Sequence, residues 1–185
     1  MPEHQDTEEF QRTEVSPQLR PQLRLYRRLY LARIDVDEAK AAVDELLSRR
    51  IPLPRRNLPS ALLMSLTTAL VVAYARPFVN SRGQSEVADK SVPGVLLRVF
   101  SRGERELHDA ILDMRNKEMA HSDAENLEIS IKLIDGGDVG IFRNMRRPFQ
   151  RRALRAISRM LEKLEKAIDQ RCDELRTVLP GEVWL

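Results

Sequence analysis

Residues 107–123, LHDAILDMRNKEMAHSD, combine a clear helical pattern with a cluster of polar side chains. In the first half, apolar residues recur at helical spacing, which predicts an amphipathic helix from about residue 104 to residue 120. These residues are Leu107, Ala110, Ile111 and Met114. The second half places an arginine, an amide and a histidine close together, at Arg115, Asn116 and His121. This stretch therefore contains the main candidate site of the chain.

Three more helices are predicted around this stretch. The first spans residues 21–48 and carries one apolar stripe. Its members are Leu25, Leu29, Ala32, Val36, Ala39, Val43 and Leu46. The second, residues 61–76, is apolar almost all round, so we expect it to be the most buried, with Ser60 as its N-cap and Pro77 ending it. The last runs from about residue 148 to residue 178, and its apolar seam either packs within the bundle or pairs two subunits.

After the motif stretch, the period of the apolar pattern changes from helical to alternating. Apolar residues from Leu127 to Leu133 alternate with Glu128, Ser130 and Lys132, and the sequence DGGD at 135–138 is a strong turn signal. This pattern predicts a small β-hairpin at about residues 127–142. Because an isolated hairpin is marginally stable, it has to pack on the bundle or on a partner.

The fold class expected from these elements is mainly α, an up-and-down helical bundle with the hairpin as an insertion. Residues 1–19 carry little hydrophobicity and are predicted to form a flexible N-terminal tail. Residues 20–185 are predicted to form a single domain, which suits a chain of 185 residues with 42% apolar content.

Composition and charge narrow the class of protein further. Charged residues make up 32% of the chain but the net charge is only +3, so most charges are expected on solvated faces. The single cysteine, Cys172, has no disulfide partner in the chain and is predicted to be buried. The N-terminus is unlike a secretory signal, and the longest apolar run is shorter than the about 20 residues of a membrane span. We therefore expect a soluble, cytoplasmic protein that does not enter a membrane.

The pattern Arg115-Asn116-x-x-x-Ala120-His121 resembles the signature of the HEPN superfamily. Members of that family are small helical-bundle domains, and many are ribonucleases of toxin–antitoxin, abortive-infection and other defence systems. Their motif is an arginine, a polar residue and, a few positions on, a histidine. The ending Ala120-His121-Ser122-Asp123 is most similar to the abortive-infection branches. The resemblance covers about residues 62–175 by architecture, but only the motif residues by sequence.

The resemblance implies a metal-independent endoribonuclease with Arg115, Asn116 and His121 as its catalytic residues. The chemistry is consistent, since histidine transfers protons near neutrality and the forked guanidinium of arginine suits a phosphate. RNA supplies its own nucleophile, the 2′-hydroxyl, so no metal is required. The sequence has no Gly-rich phosphate loop and no Cys/His cluster with metal-ligand spacing, so neither a cofactor nor a metal is predicted. Asp123 and Arg76 are predicted as supporting residues, although Arg76 could instead pair structurally with a carboxylate or with helix-end carbonyls.

The spacing within the motif bears on assembly. On an unbroken α-helix, Arg115 and His121 would lie about 120° apart. They can converge if the helix loosens near His121, if Arg115 reaches around the helix, or if two subunits share the site. HEPN proteins typically dimerise with their motifs facing one cleft, so the resemblance implies a homodimer.

A run of arginines without an intervening acidic residue follows the predicted hairpin. It consists of Arg143, Arg146, Arg147, Arg151, Arg152 and Arg155. The first five are predicted to bind RNA, and an acidic partner protein stays open as an alternative. The other alternative is that these arginines have no ligand and simply cover the solvent-exposed start of a helix. It is weakened because arginines at a helix N-terminus oppose the macrodipole and cost local stability.

Two rival functions remain open from the sequence. A HEPN-like domain can lack catalysis and act as a binding or scaffolding module, or Arg115 and His121 can tie a helix end to the core of a structural protein. Of the other histidines, His4 lies in the predicted tail and His108 is expected to be a surface or a structural residue. If the chain is the ribonuclease toxin of a toxin–antitoxin system, an antitoxin protein is also implied as a partner.

Overall fold

The structure, a computed structural model, describes residues 16–49, 60–80, 87–119, 129–134, 137–142 and 148–180. This part of the chain is mainly helical, and it contains all four predicted long helices. They are α1, Arg20–Ser48, α2, Ala61–Ala75, α3, Arg102–Met114, and α4, Arg151–Arg176. Short 3-10 helices at Pro17–Leu19 and Gly94–Val99 precede α1 and α3, and a π-helical turn, Arg115–Met119, follows α3.

The long helices form a bundle in which α1 packs against both α2 and α4. Side-chain contacts show that α1 and α4 run antiparallel. These contacts are Arg151 to the carbonyl of Leu47 at 2.7 Å, Lys40 to Glu165 at 2.6 Å and Arg176 to the hydroxyl of Tyr26 at 3.1 Å. α2 is also antiparallel to α1, because the carbonyl of Arg76 at its end accepts a hydrogen bond from Arg28, near the start of α1. The helical-bundle prediction is confirmed at this level.

The core consists of the apolar stripes that the sequence predicted. The stripe of α1 is buried apart from Leu25, which is partly buried, and the seam of α4 is buried from Leu154 to Leu175 and includes Cys172. The seam therefore packs inside the bundle. Each fully buried Leu or Ile contributes about 1.5–3 kcal/mol to the hydrophobic stabilisation of the fold.

Hydrogen bonds at the helix starts fix α2 and α3. The hydroxyl of Ser60 accepts the N–H of Leu63 at 3.2 Å, so the predicted N-cap of α2 is confirmed. At α3, Ser101 and Glu104 form a reciprocal capping box, and the carboxylate of Glu104 also binds Lys163 of α4 at 2.8 Å. The hydrogen bond from Lys163 holds the pKa of Glu104 below its ordinary value. This contact sets the start of α3 beside the middle of α4.

His108 of α3 is a buried structural histidine. Its Nδ1 lies 3.0 Å from the hydroxyl of Tyr74, and its ring packs edge-on against Phe78 with a centroid distance of 4.6 Å. The ring of Phe100 lies on another side, at 6.0 Å. Burial raises the pKa of Tyr74, so its hydroxyl stays protonated and can donate to the imidazole. His108 therefore joins α2, α3 and the segment before α3.

The titration of His108 predicts a loss of stability in mild acid. Burial lowers the pKa of His108 below the ordinary 6.5, although Asp109 opposes the shift. Above that pH the imidazole is neutral in both the folded and the unfolded state. Below it the unfolded state takes up a proton first, so the free energy of unfolding falls, by about 1.4 kcal/mol per unit of pKa difference.

Urea unfolding at about pH 7.5 and about pH 5.5 checks this expectation. The loss of stability between the two values should be smaller in His108→Gln, which has no proton to take up. An equal loss in the wild type and the variant would contradict the assignment.

Two strands follow the π-helical turn along the chain. Ile129–Ile134 and Gly137–Phe142 pair antiparallel, with Ile129 opposite Phe142 and Ile134 opposite Gly137. Both strands fall inside the range predicted for the hairpin. Residues 135 and 136 lie outside the described part of the chain. The packing of the hairpin on the bundle stays a prediction.

The start of the chain differs in one respect from the expectation. Pro17–Leu19 is a 3-10 helix that leads directly into α1, although these residues were predicted to belong to the tail. Pro17 and Pro21 fix backbone angles that suit the first turn of a helix, which explains the earlier start. Residues 1–15, the rest of the predicted tail, lie outside the described residues. Among the described helices, none combines the length and the apolar character needed to cross a membrane.

Candidate functional site

The helix that carries the motif changes its hydrogen bonding where the motif begins. α3 is α-helical to Met114, and Arg115–Met119 form the π-helical turn. The amide N–H of Arg115 is shared between the carbonyls of Ile111 and Leu112. Such turns are rare and occur frequently at functional sites. The helix thus departs from α geometry at Arg115, earlier than expected. The angle of about 120° between Arg115 and His121 assumed an unbroken α-helix, so it does not apply here.

Arg115 and Asn116 are hydrogen-bonded to each other, Nη1 donating to Oδ1 at 3.0 Å. Arg115 follows Ile111 and His108 by four and seven residues, so it shares their inward face and is half-buried, whereas Asn116 is exposed. A guanidinium has donors only, so Asn116 must offer its oxygen to Arg115 and keeps its NH₂ group for other partners. The pair thus presents N–H donors to a ligand. This arrangement suits an anion such as a phosphate.

Several predicted site residues lie outside the described residues. They are His121, Asp123, Arg143, Arg146 and Arg147. Their roles in proton transfer, in support of the site and in RNA binding stay predictions.

The contacts of α3 indicate in which direction Arg115 lies along the bundle. Tyr74, near the end of α2, contacts His108, and the π-helical turn packs against α2 as well, so α3 runs back along α2. The contact between Glu104 and Lys163 sets α3 beside α4. Eleven residues separate Glu104 from Arg115 and eleven separate Lys163 from Arg152, about 16 Å along each helix. With aligned, antiparallel axes, these distances would bring Arg115 and Arg152 to a similar level of the bundle.

The two described arginines of the predicted RNA-binding set have different environments. Arg151 donates to the carbonyl of Leu47 and so satisfies one of the carbonyls that the end of α1 leaves without a helical partner. Arg152 is exposed, and no carboxylate of the described residues pairs with it. Arg151 thus has a structural contact, while Arg152 is available to an external anion.

Arg76 lies at the other end of α2, away from Arg115. Its Nη1 is 3.3 Å from Oδ1 of Asp35 and also donates to Glu38, both on α1. Burial raises the pKa of Asp35 above its ordinary value although Arg76 opposes the shift. The structure therefore matches the structural alternative for Arg76 and does not bring it to the motif.

The sequence reasoning missed Arg28. It is buried at 6% exposure and donates to the carbonyl of Arg76, and burial lowers its pKa although Asp35 opposes the shift. A signal was present in the sequence, because Arg28 precedes Ala32 by four residues and shares its side of α1. Arg28 and Arg76 together join the first half of α1 to the end of α2.

Among the described residues, no group of three or more His, Cys, Asp and Glu side chains is placed to hold a metal ion. Comparison of the chain with protein-family models, with curated proteins and with solved structures finds no match. The function is therefore argued from the residues and their geometry.

Proposed function

We propose that this chain is a HEPN-like helical bundle and acts as a metal-independent endoribonuclease of a defence or toxin–antitoxin system. The observation that carries the proposal is the hydrogen-bonded pair of Arg115 and Asn116 at a π-helical turn. In this proposal the pair faces the same end of the bundle as the start of the arginine-rich helix α4. In this proposal the hairpin is an insertion between the motif and α4.

The chemistry assigns a separate task to each motif residue. Arg115 and Asn116 direct their N–H donors at the scissile phosphate and stabilise the charge that develops on it. His121 transfers protons, either from the attacking 2′-hydroxyl or to the leaving 5′-oxygen. Water need not be activated, because the nucleophile belongs to the substrate.

The experiment that tests the activity is incubation of the purified protein with single-stranded RNA in EDTA. We expect cleavage that leaves 2′,3′-cyclic phosphates, because the attacking oxygen is the neighbouring 2′-hydroxyl. An RNA with 2′-O-methyl groups throughout should resist cleavage. Products that end in 3′-hydroxyls, or the absence of cleavage in varied RNAs, would contradict the nuclease and favour a non-catalytic binding module.

We also propose a homodimer with the two motif helices at a shared cleft. The outward side of α3 is polar, with Arg102, Arg105, Glu106, Asp109 and Asp113 exposed. Contacts across that side would be charged, and salt would screen them. Light scattering should give twice the 21.4 kDa of one chain at low salt and a smaller mass at high salt. A monomer at micromolar concentration in low salt would contradict this prediction.

An antitoxin is the further partner that the toxin reading implies. Co-expression with the product of a neighbouring gene should then suppress the RNA cleavage, and the two proteins should purify together. Its binding site is expected to cover the motif end of the bundle, where it would block RNA.

A further inference from the structure

Three arginines on the first half of α4 form a straight row, which we call the α4 arginine row. Its members are Arg152, Arg155 and Arg159, and all three are exposed. They follow one another at spacings of three and four residues, so they lie on one side of the helix. The row extends about 10 Å along the helix axis. Arg159 was not part of the arginine run singled out in the sequence.

None of the three row residues has a carboxylate partner among the described residues, and the same holds for a few other exposed cations, such as Lys90, Arg98 and Lys166. Elsewhere, Arg33 binds Asp37, Glu165 and Asp169, and further cations pair with a carboxylate in the same way. Those cations are Arg24, Lys40, Arg49, Arg76, Arg102, Lys117, Lys163, Arg171 and Arg176. No acidic residue occurs from Val139 to Leu161. The row is thus a strip of three neighbouring exposed arginines without a carboxylate partner, in a segment that contains no acidic residue.

The position of the row is unfavourable for the helix itself. The first turn of α4 has no acidic residue, and its N-cap, Gln150, makes no side-chain capping bond. Cations near a helix N-terminus oppose the macrodipole, so Arg152 in particular destabilises α4 locally. A ligand that brings negative charge would remove this cost.

The surroundings of the row favour a phosphate backbone over a protein partner. The residues between its members include Ala153, Ala156 and Ser158, which are small and partly exposed. The exposed large apolar residues of the described chain lie on other elements, so the row lacks the aromatic and aliphatic anchors typical of protein interfaces. Guanidinium groups, in contrast, bind phosphate oxygens through two N–H donors.

The charges at the two ends of the row indicate in which direction a bound strand would continue. Beyond Arg159, the next cation of α4, Lys163, is neutralised by Glu104 of α3. Lys166, one turn further, is exposed and has no carboxylate partner among the described residues. The other end of the row is Arg152, in the first turn of α4, which in the proposed function faces the same end of the bundle as Arg115. A polyanion on the row would therefore lead toward the motif.

We propose that the α4 arginine row binds successive phosphates of a single nucleic-acid strand and guides it to the Arg115–Asn116 pair. The proposal rests on the proposed function for the fate of the strand, but binding by the row does not require cleavage. Arg151 is outside the row, because it is bound to the end of α1.

The test uses a fluorescent 2′-O-methyl oligonucleotide, which carries the phosphates but cannot be cleaved through the 2′-oxygen. The double variant Arg155→Gln/Arg159→Gln should bind it about 10-fold more weakly at 0.2 M salt and about 70-fold more weakly at 0.05 M salt, since each single-strand contact changes the salt slope by about 0.7. The slope of log K against log salt should become shallower by about 1.4. Anisotropy titrations of the full chain measure both quantities.

The matched control is Arg171→Gln/Arg176→Gln, which removes the same charge from ion-paired positions at the other end of α4. This variant should retain the affinity and the salt slope of the wild type. An equal loss in both variants, or an unchanged affinity in the row variant, would overturn the proposal. Displacement of the oligonucleotide by an oligo-glutamate peptide at equal charge concentration would also overturn it, in favour of an acidic protein partner.

The outcomes separate this proposal from the proposed function. Row-dependent binding without any RNA cleavage would support the row and refute the nuclease. Cleavage of RNA at wild-type rate by the row variant would support the nuclease and refute the row. Because all three row residues are exposed, far-ultraviolet circular dichroism should show both double variants to be as helical as the wild type.

Discussion

Replacing His121 with alanine is expected to slow RNA cleavage by about 10²–10⁴-fold, the range for loss of a general acid or base. Replacing Arg115 with alanine is expected to cost about 3–4 kcal/mol of transition-state stabilisation, as for loss of one oxyanion donor. We expect this loss for Arg115 because its guanidinium is held in place by Asn116 and presents only N–H donors to the phosphate. Single-turnover cleavage in EDTA, with melting temperatures measured alongside, checks both expectations.

Two control variants sharpen the comparison. His4→Ala removes a histidine outside the motif and should leave the cleavage rate unchanged. Arg115→Lys keeps the charge but loses the fork that binds two phosphate oxygens, so its rate should lie between those of the wild type and Arg115→Ala. If His121→Ala and Arg115→Ala leave cleavage intact but lower the melting temperature by several degrees, both residues are structural and the nuclease proposal fails.

Periodicity alone was sufficient for the helices. The apolar stripe of α1 and the seam of α4 predicted the buried faces, because a helix in a bundle must bury one continuous stripe. Capping side chains predicted where a helix begins, as Ser60 did for α2. The site was less predictable. The sequence placed Arg115 and Asn116 next to each other, but their hydrogen bond and the π-helical turn depend on how α3 packs against α2.

Tertiary contacts also explain why two arginines, Arg28 and Arg151, have other roles in the structure than the sequence suggested. The helical period placed Arg28 on the side of Ala32, but an arginine is usually exposed, so only the packing of α2 against α1 shows that it is buried there. Arg151 and Arg152 are neighbours of the same type, yet only Arg151 is turned toward α1 and meets the carbonyl of Leu47. Which of two adjacent arginines is structural depends on the helix rotation, and that is set by the whole core.

Replacing His108 with alanine is expected to lower the stability of the fold, whereas replacing His121 is expected to lower the rate of cleavage. The variant loses a buried ring, and truncation of buried aromatic residues to alanine typically costs about 3–5 kcal/mol. It also leaves the hydroxyl of Tyr74 without its partner at 3.0 Å, which adds to the cost because buried polar groups need hydrogen bonds. For a domain of this size, we expect a fall in melting temperature of about 10 °C.

Cleavage per folded molecule should be retained in His108→Ala at temperatures well below its melting point, because His108 lies between Tyr74, Phe78 and Phe100 and not beside Asn116. The conservative variant His108→Gln keeps a hydrogen-bonding group and more of the volume, so its loss of stability should be smaller. Thermal unfolding and single-turnover cleavage of the same preparations measure the two properties. A stability equal to the wild type in His108→Ala would contradict the packing described for α3. A loss of cleavage in its folded form would place His108 in the site.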